Sequence, residues 1–527
     1  MPLTETERAL LGRPRDEDVD YDHQRIDYAP REKSKIGRFT IVAMILNRTI
    51  GSGIFLSPHR VLQGTGCVGG ALCMWILAAV ISICGLYVWL ECGLSMPQRL
   101  VRGENKPRGV PRSGGEKNYL EFMFPNHAGK FGGPGDVVRN NFTRDVWNTQ
   151  RTDVPSWSNA LVLCLFSFGG YRQPFYVLAE AKSPRKYFPK YTISAMVIVA
   201  FLFLLVNISY LFVVDKERIL SNNDSLDLAT LFFDTLWSDS QEKASRAMAV
   251  ITAISIFGNL WKKVMTYTAS RVKQEIAKEG ILPYSLFFAT SYRTPYGLWQ
   301  QWRSRDRMQP DEVEQAPTAA LALHWGTSVL QIAVTAAIVD PKKAYAALVS
   351  LYMYTIILGF AFWVSVGLLI TKTRDKTKWR ESRRYRPWLS PVHVFVYGLS
   401  SAFMLIVAFV PAAKGSPFHD SVTGIPWYII PTIGVTAPFW GVLWYWGFLF
   451  YQAKIRREQL VVTRQPYWAA DPHCPGEYVQ LAEVIDHTWE IPIRQGDLES
   501  SSQESVSERQ TKTRAHAREI LLRDVED

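Results

Sequence analysis

Residues 70–96 run with a single charge, Glu91, between flanks rich in Gly and Pro. An α-helix needs about 20 apolar residues to cross a hydrocarbon core of about 30 Å, so a run of this length constrains the chain more than any other feature. Nine such spans are expected, at about 39–63, 70–96, 157–180, 191–214, 246–270, 318–339, 344–370, 391–412 and 426–451. The second, fourth, seventh and ninth carry the clearest signal. Asn47 and Arg48 interrupt the first, and Lys262 and Lys263 the fifth. A mean hydropathy of −0.03 hides this pattern, because the charge is concentrated in the tails and a few loops.

The net charge of +11 lies in short Lys/Arg clusters beside apolar runs. Cytoplasmic loops of membrane proteins look this way, and a nucleic-acid-binding face does not. The six cysteines form no C-x-x-C pair, and five lie in apolar segments, so no zinc site or disulfide framework is expected. No Ser/His/Asp set, nucleotide loop or metal cluster stands out, so no enzyme activity, cofactor or metal is expected. Residues 1–35 lack an apolar stretch, which leaves the first membrane helix as the expected targeting signal. Residues 1–35 and 452–527 read as soluble cytoplasmic tails. From Leu498 the second is Ser/Gln/Glu-rich and expected to be disordered, apart from a short helix near Ala515–Arg523.

Basic residues set the orientation. Thr371–Arg386 holds eight Lys or Arg and belongs in the cytoplasm. Alternating outward from it, Lys182–Lys190, Lys262–Arg307 and Lys454–Arg457 are also cytoplasmic. Asp215–Lys243, acidic and carrying the sequon Asn223-Asp224-Ser225, is external. One place conflicts. The clusters Arg31–Arg38 and Arg99–Lys117 both belong inside, yet the third span must start outside. An odd number of crossings is therefore required between Gln98 and Ser156, and the sequence offers none. Its most apolar stretch there, Tyr119–Pro125, is far too short.

Two spans contain helix breakers at their middles. The first carries Gly51-Ser52-Gly53-Ile54. Glycine lets the backbone unwind, and unwound backbone at membrane depth is tolerated only when buried in protein or lining a cavity. The free N–H groups of Ser52, Gly53 and Ile54, with the helix dipole, then suit a carboxylate. On this motif alone, close packing of helices through small residues is an equal reading. The third span carries Phe166-Ser167-Phe168-Gly169-Gly170 and Pro174. Carbonyls freed at Phe166, Ser167 and Phe168 could accept from an ammonium group. Paired breaks in corresponding positions of two halves point to a transporter site. An N–H cluster opposite a carbonyl cluster suits a free α-amino acid.

The stretches Asn47–Phe55, Trp89–Pro97, Pro111–Glu121, Phe175–Arg185 and Ser270–Pro283 resemble those of the amino acid–polyamine–organocation (APC) superfamily. The similarity is to its fungal L-type branch, which includes the methionine permeases. That resemblance implies an all-α polytopic membrane protein with the LeuT-like inverted-repeat fold. It implies transport of neutral L-amino acids, possibly including methionine, by alternating access, with the carboxylate on Gly51, Ser52, Gly53 and Ile54. The amine and part of the side chain would lie on Phe166, Ser167, Phe168 and Gly169. No obligate heavy-chain partner is expected, since no cysteine lies in an external loop to tether one.

Such permeases have twelve membrane helices, and this chain keeps about nine. After Glu116–Glu121 helix 3 should begin. Instead the sequence runs into Asp136–Asp153, which resembles the external segment before helix 6, and Asn141-Phe142-Thr143 falls on the external side. Helices 3–5 are thus expected to be absent, the same defect that the parity of crossings locates. Residues 36–451 form the transporter domain, with 98–156 outside the membrane. A transport-incompetent remnant and a sensor without flux are the alternatives. Glu91 reads as a proton-linked carboxylate or as a partner of a nearby Lys or Arg, and Arg48 as a contact for substrate or for a partner group.

Overall fold

The computed structural model describes residues 24–28, 35–49, 52–96, 98–99, 108–109, 113, 115, 119, 153–214, 232, 246, 250, 264–303, 315–338, 341–374, 379, 385–413, 426–470 and 478–490. Both sequons, Gly51, Lys262, Lys263, the expected location of helices 3–5 and everything after residue 490 lie outside the described residues.

The first span is two helices, α1 (Arg38–Thr49) and α2 (Ser52–Thr65). They are followed by α3 (Val68–Ser95), α4 (Val154–Phe168), a 3-10 segment (Gly169–Glu180) and α5 (Pro184–Val213). Next come α6 (Val264–Ala277), the short helices α7 (Ser285–Ala289) and α8 (Pro295–Arg303), and α9 (Thr318–Ile338). The seventh span is α10 (Pro341–Tyr352), a π-helical turn (Met353–Gly359) and α11 (Phe360–Arg374). α12 (Val392–Val407) and α13 (Ile429–Phe450) close the bundle.

Among the described residues four helices are long and apolar enough to cross a membrane: Val68–Ser95, Pro184–Leu211, Ala347–Arg374 and Ile429–Arg456. They coincide with the four clearest spans in the sequence. α3 is the axle of the bundle. Its Trp75, Leu86, Val88, Trp89 and Leu90 are buried, while Ile76, Leu77 and Val80 in its first half are exposed. α13 presents Phe439, Trp440, Trp444 and Trp446 outward, the aromatic-rich face expected against lipid. Local chemistry fixes the start of α4. Asp153 accepts from the Ser156 backbone N–H at 3.2 Å, an N-cap worth about 1 kcal/mol. The same carboxylate accepts from the Ala413 N–H at 3.2 Å and so ties α4 to the end of α12.

Both tails contribute to one antiparallel sheet, which the reading of them as tails did not anticipate. β1 (Gln24–Tyr28) pairs with β3 (Tyr478–Glu490), and β3 pairs with β2 (Gln459–Ala470). The register places Gln24 against Asp486 and Gln459 against Glu490, with a bulge at Tyr467/Trp468. The sheet docks on α6. There Gly280, at φ +76°, occupies a conformation that side chains disfavour. A Cβ at Gly280 would lie 2.5 Å from Leu460 Cδ2. His487 in β3 is buried, and its Nε2 lies 3.1 Å from the Lys278 carbonyl.

Burial lowers the His487 pKa, outweighing the opposing effects of the Lys278 carbonyl and Asp486. A histidine held neutral contributes stability that is present above its unfolded pKa of about 6.5 and lost as pH falls through the lower folded value. Proteolysis of the hairpin in the purified chain is therefore expected to quicken between about pH 7.5 and about pH 5. The change should vanish in H487Q, and an equal acid response in H487Q would remove His487 as its cause.

Candidate functional site

The two interrupted spans meet. α1 is described as far as Thr49, whose hydroxyl donates back to the Ile45 carbonyl at 2.8 Å. α2 is described from Ser52 onward, and residues 50 and 51 between it and α1 lie outside the described residues. In the third span α4 tightens at Phe168 into the 3-10 segment, and non-helical geometry arrives only at Val177 (φ −126°, ψ 30°). Within the break the Gly169 N–H donates to the Phe166 carbonyl, so that acceptor is already engaged. A 3-10 run of this length is uncommon and often marks a hinge.

Gly170 lies against the end of α1. A Cβ there would come within 2.5 Å of Thr49 Cγ2, 2.9 Å of the Ile45 carbonyl oxygen and 3.0 Å of Arg48 Cβ. At Gly169 the nearest atom to such a Cβ is Ile357 Cδ1, at 3.5 Å. Gly170→Ala is thus expected to cost about 1–3 kcal/mol through overpacking against backbone, while Gly169→Ala stays within about 0.5 kcal/mol. Thermal melts of the two variants in detergent test this, and equal midpoints would discount the close approach.

The two phenylalanines of the break face opposite ways. Phe168 is buried against Trp75 and Phe203, with ring centroids 6.0 and 4.9 Å away, so its side chain belongs to the core. Phe166 is half-buried, edge-on to Tyr352 at 6.2 Å. The Arg48 guanidinium lies 5.6 Å over the same Tyr352 ring, and its Nε is buried without a hydrogen bond. Ser167 reaches across to α2, with Oγ 3.2 Å from Ser57 Oγ. Phe166, Ser167 and Arg48 therefore gather where α1, α2, α4 and α10 converge. Gly51 lies outside the described residues.

Arg172, inside the 3-10 segment, is a site residue that the sequence reading missed. Its guanidinium donates to the carbonyls of Ile356 (2.5 Å) and Ile357 (2.9 Å) in the π-helical turn and to the Tyr397 hydroxyl (2.6 Å). Tyr171 Oη lies 2.7 Å from Tyr397 Oη. A charged residue beside a Gly pair at membrane depth was the available signal.

The far ends of the two interrupted spans are also joined. The Ile36 N–H donates to the Glu180 carbonyl at 2.8 Å, and the Lys182 N–H to the Ile36 carbonyl at 3.0 Å. Glu180 pairs with Arg271 of α6 at 2.7 Å and accepts from the Tyr267 hydroxyl. Among the described residues no group of His, Cys, Asp and Glu is placed to hold a metal.

A family model described as amino acid permease matches residues 36–133 and 128–436. The high-affinity methionine permease of Saccharomyces cerevisiae is 25% identical over 86% of this chain and 85% of its own length. The low-affinity methionine permease of the same yeast is 22% identical over 49% of this chain and 60% of its own. The large neutral amino acids transporter small subunit 2 of Rattus norvegicus is 35% identical over 18% of this chain and 16% of its own. With a family model covering most of its length, and with apolar helices long enough to span a bilayer, this chain belongs to the amino acid permease family of integral membrane proteins.

Proposed function

We propose that this chain is a secondary-active transporter of neutral L-amino acids, methionine among them, working by alternating access in a LeuT-like fold. Its termini lie in the cytoplasm and the membrane is the plasma membrane. The observation that carries the reading is the contact of Gly170 with the end of α1, because it brings two interrupted spans together near the middle of the bundle. Facing breaks of this kind place a helix N-terminus and a strip of carbonyls on one cavity. Gly51, Ser52, Gly53 and Ile54 receive the carboxylate. Ser167 and the backbone of Phe168 and Gly169 receive the amine. The Phe166 ring and Tyr352 border the side chain, and Arg48 Nε is a spare donor beside the carboxylate end.

The test is uptake of radiolabelled L-methionine and L-leucine by cells lacking their own permeases. Uptake by the native chain should exceed that of empty cells, and Gly53→Trp, which fills the N-terminal break, should abolish the excess. Identical signals from the native chain, the variant and empty cells would remove the transport reading.

A second reading, a remnant without transport, is favoured by one observation. The alignment with the high-affinity methionine permease runs over 554 positions, more than the 527 residues of this chain, and the family match comes in two pieces that meet at 128–133. Both fit a chain from which helices 3–5 are missing. Sequencing of transcripts across the codons for Phe124–Asp136 decides it: three further apolar spans there restore the full permease.

A further inference from the structure

Glu91, on α3, is fully buried. One of its oxygens, Oε2, takes both of its partners: Lys372 Nζ at 2.7 Å and His393 Nε2 at 3.2 Å. The other, Oε1, is buried without a hydrogen bond, and so is His393 Nδ1. His393 itself is fully buried near the start of α12. A buried polar atom without a partner calls for an explanation, and here two of them lie in one cluster of ionisable groups. A neutral imidazole donating from Nε2 to the carboxylate keeps a lone pair on Nδ1 that can accept a further proton.

We propose that His393, held by Glu91, is a proton-binding site that exchanges with the cytoplasmic side and is linked to the transport site. The link rests on the transport reading above; the proton site itself does not. Loading adds one proton from water to Nδ1 and breaks no other bond. Before loading, Glu91 and Lys372 cancel and the cluster is neutral; afterwards it carries one positive charge. The imidazolium and the ammonium can then each take one carboxylate oxygen, which gives Oε1 the partner it now lacks. Lys372 leads outward, because its side chain keeps 13% exposure and lies in the last turn of α11 beside the basic Thr371–Arg386 segment.

The facing groups leave His393 as the switch. From α3 come Tyr87, edge-on to the imidazole at 6.2 Å, and Cys92, beside Glu91. The segment before α12 supplies Tyr385, close enough to feel the Glu91 charge, and Ser390, whose Oγ is 3.4 Å from Lys372 Nζ. Tyr397 is one turn along α12 from His393, on the same face. Its hydroxyl accepts from Arg172, which belongs to the 3-10 segment of the third span. Polar contacts thus run from Lys372 through Glu91 to His393 and from Tyr397 to Arg172, with one turn of α12 between the two sets. The proposed link passes along that turn to the hydroxyl that binds the Arg172 guanidinium.

The experiment uses the full chain in lipid nanodiscs with isotope-labelled histidine, followed by NMR from about pH 5 to about 8.5. The His393 signal is identified by its loss in H393Q or, should that variant fail to fold, by replacing the other eight of the nine histidines in turn. Expected is a sigmoidal titration of that signal, with the curve displaced in E91Q. A signal flat across the range overturns the proton site. In proteoliposomes, L-methionine uptake by the native chain should depend on pH, and H393Q should flatten the profile while uptake remains. A profile unchanged in H393Q overturns the link. Absent uptake at every pH removes the transport reading and the link with it, while the NMR titration still decides the proton site.

Discussion

Replacing Lys278 by methionine is expected to loosen the three-stranded sheet from α6 and to lower the stability of the chain by about 3–5 kcal/mol. The Lys278 amine is 2% exposed and lies 2.6 Å from Asp27 of β1, 2.9 Å from Glu275 of α6 and 3.2 Å from Glu483 of β3. Arg464 of β2 binds Glu275, Glu279 and Glu483 from the other side. Two cations thus hold four carboxylates. Without Lys278 these carboxylates lose one of the two cations, and Asp27 loses its ion pair, keeping the Ser291 hydroxyl at 2.9 Å and the charge of Arg271. Proteolysis within residues 459–490 should quicken, and the main unfolding transition should fall in temperature. Unchanged cleavage and unchanged unfolding together would show that apolar packing, not this cluster, holds the sheet.

The same cluster sets a pH response. Burial works to raise the Asp27 pKa, but the charges of Lys278 and Arg271 and hydrogen bonds from Lys278 and Ser291 outweigh it, so the net shift is downward. A lowered carboxylate contributes stability that is present above the unfolded value of about 3.9 and is lost as pH falls through the folded one. The docking at Asp27 therefore holds through neutral and mildly acidic conditions. The softening of the hairpin expected between about pH 7.5 and about pH 5 is assigned to His487 and not to Asp27.

Arg172→Met should be the most damaging substitution within the bundle, with a loss on the order of 5 kcal/mol. The figure follows from the hydrogen bonds of a charged donor to Ile356, Ile357 and Tyr397, each worth about 1.5–3 kcal/mol, less the desolvation cost of a buried guanidinium, which methionine does not carry. The π-helical turn at Met353–Gly359 exposes the Ile356 and Ile357 carbonyls that the guanidinium takes up. Arg172→Lys should recover only part of the loss, because an ammonium cannot reproduce a planar fork reaching two carbonyls and a hydroxyl. Melting in detergent is the measurement, with R172K between the native chain and R172M. Stability of R172M within about 1 kcal/mol of native would show that the carbonyls find other partners.

Much of this was legible in the chain itself. Apolar runs are local, so the four longest could be placed without any fold, and Gly-Gly marked the tightening of the third span for the same reason. That Glu91 pairs with a lysine was one of two open readings; that a buried histidine shares its oxygen was not among them. The sheet was illegible because β1 and β3 lie more than 450 residues apart, and short polar strands in tails carry no signal of their partner. The division between the two phenylalanines could not be read either, since rotation of a helix about its axis depends on what packs against it. Phe168 is core because Trp75 and Phe203 meet it there.

What the sequence alone determined is a membrane protein with long apolar spans, since hydrophobic length is a property of consecutive residues. What only the tertiary structure decided is how charge is housed inside it. Lys278, Arg172 and the Glu91–His393 pair are stable only among partners brought from distant parts of the chain, and burial of a charge is governed by that company.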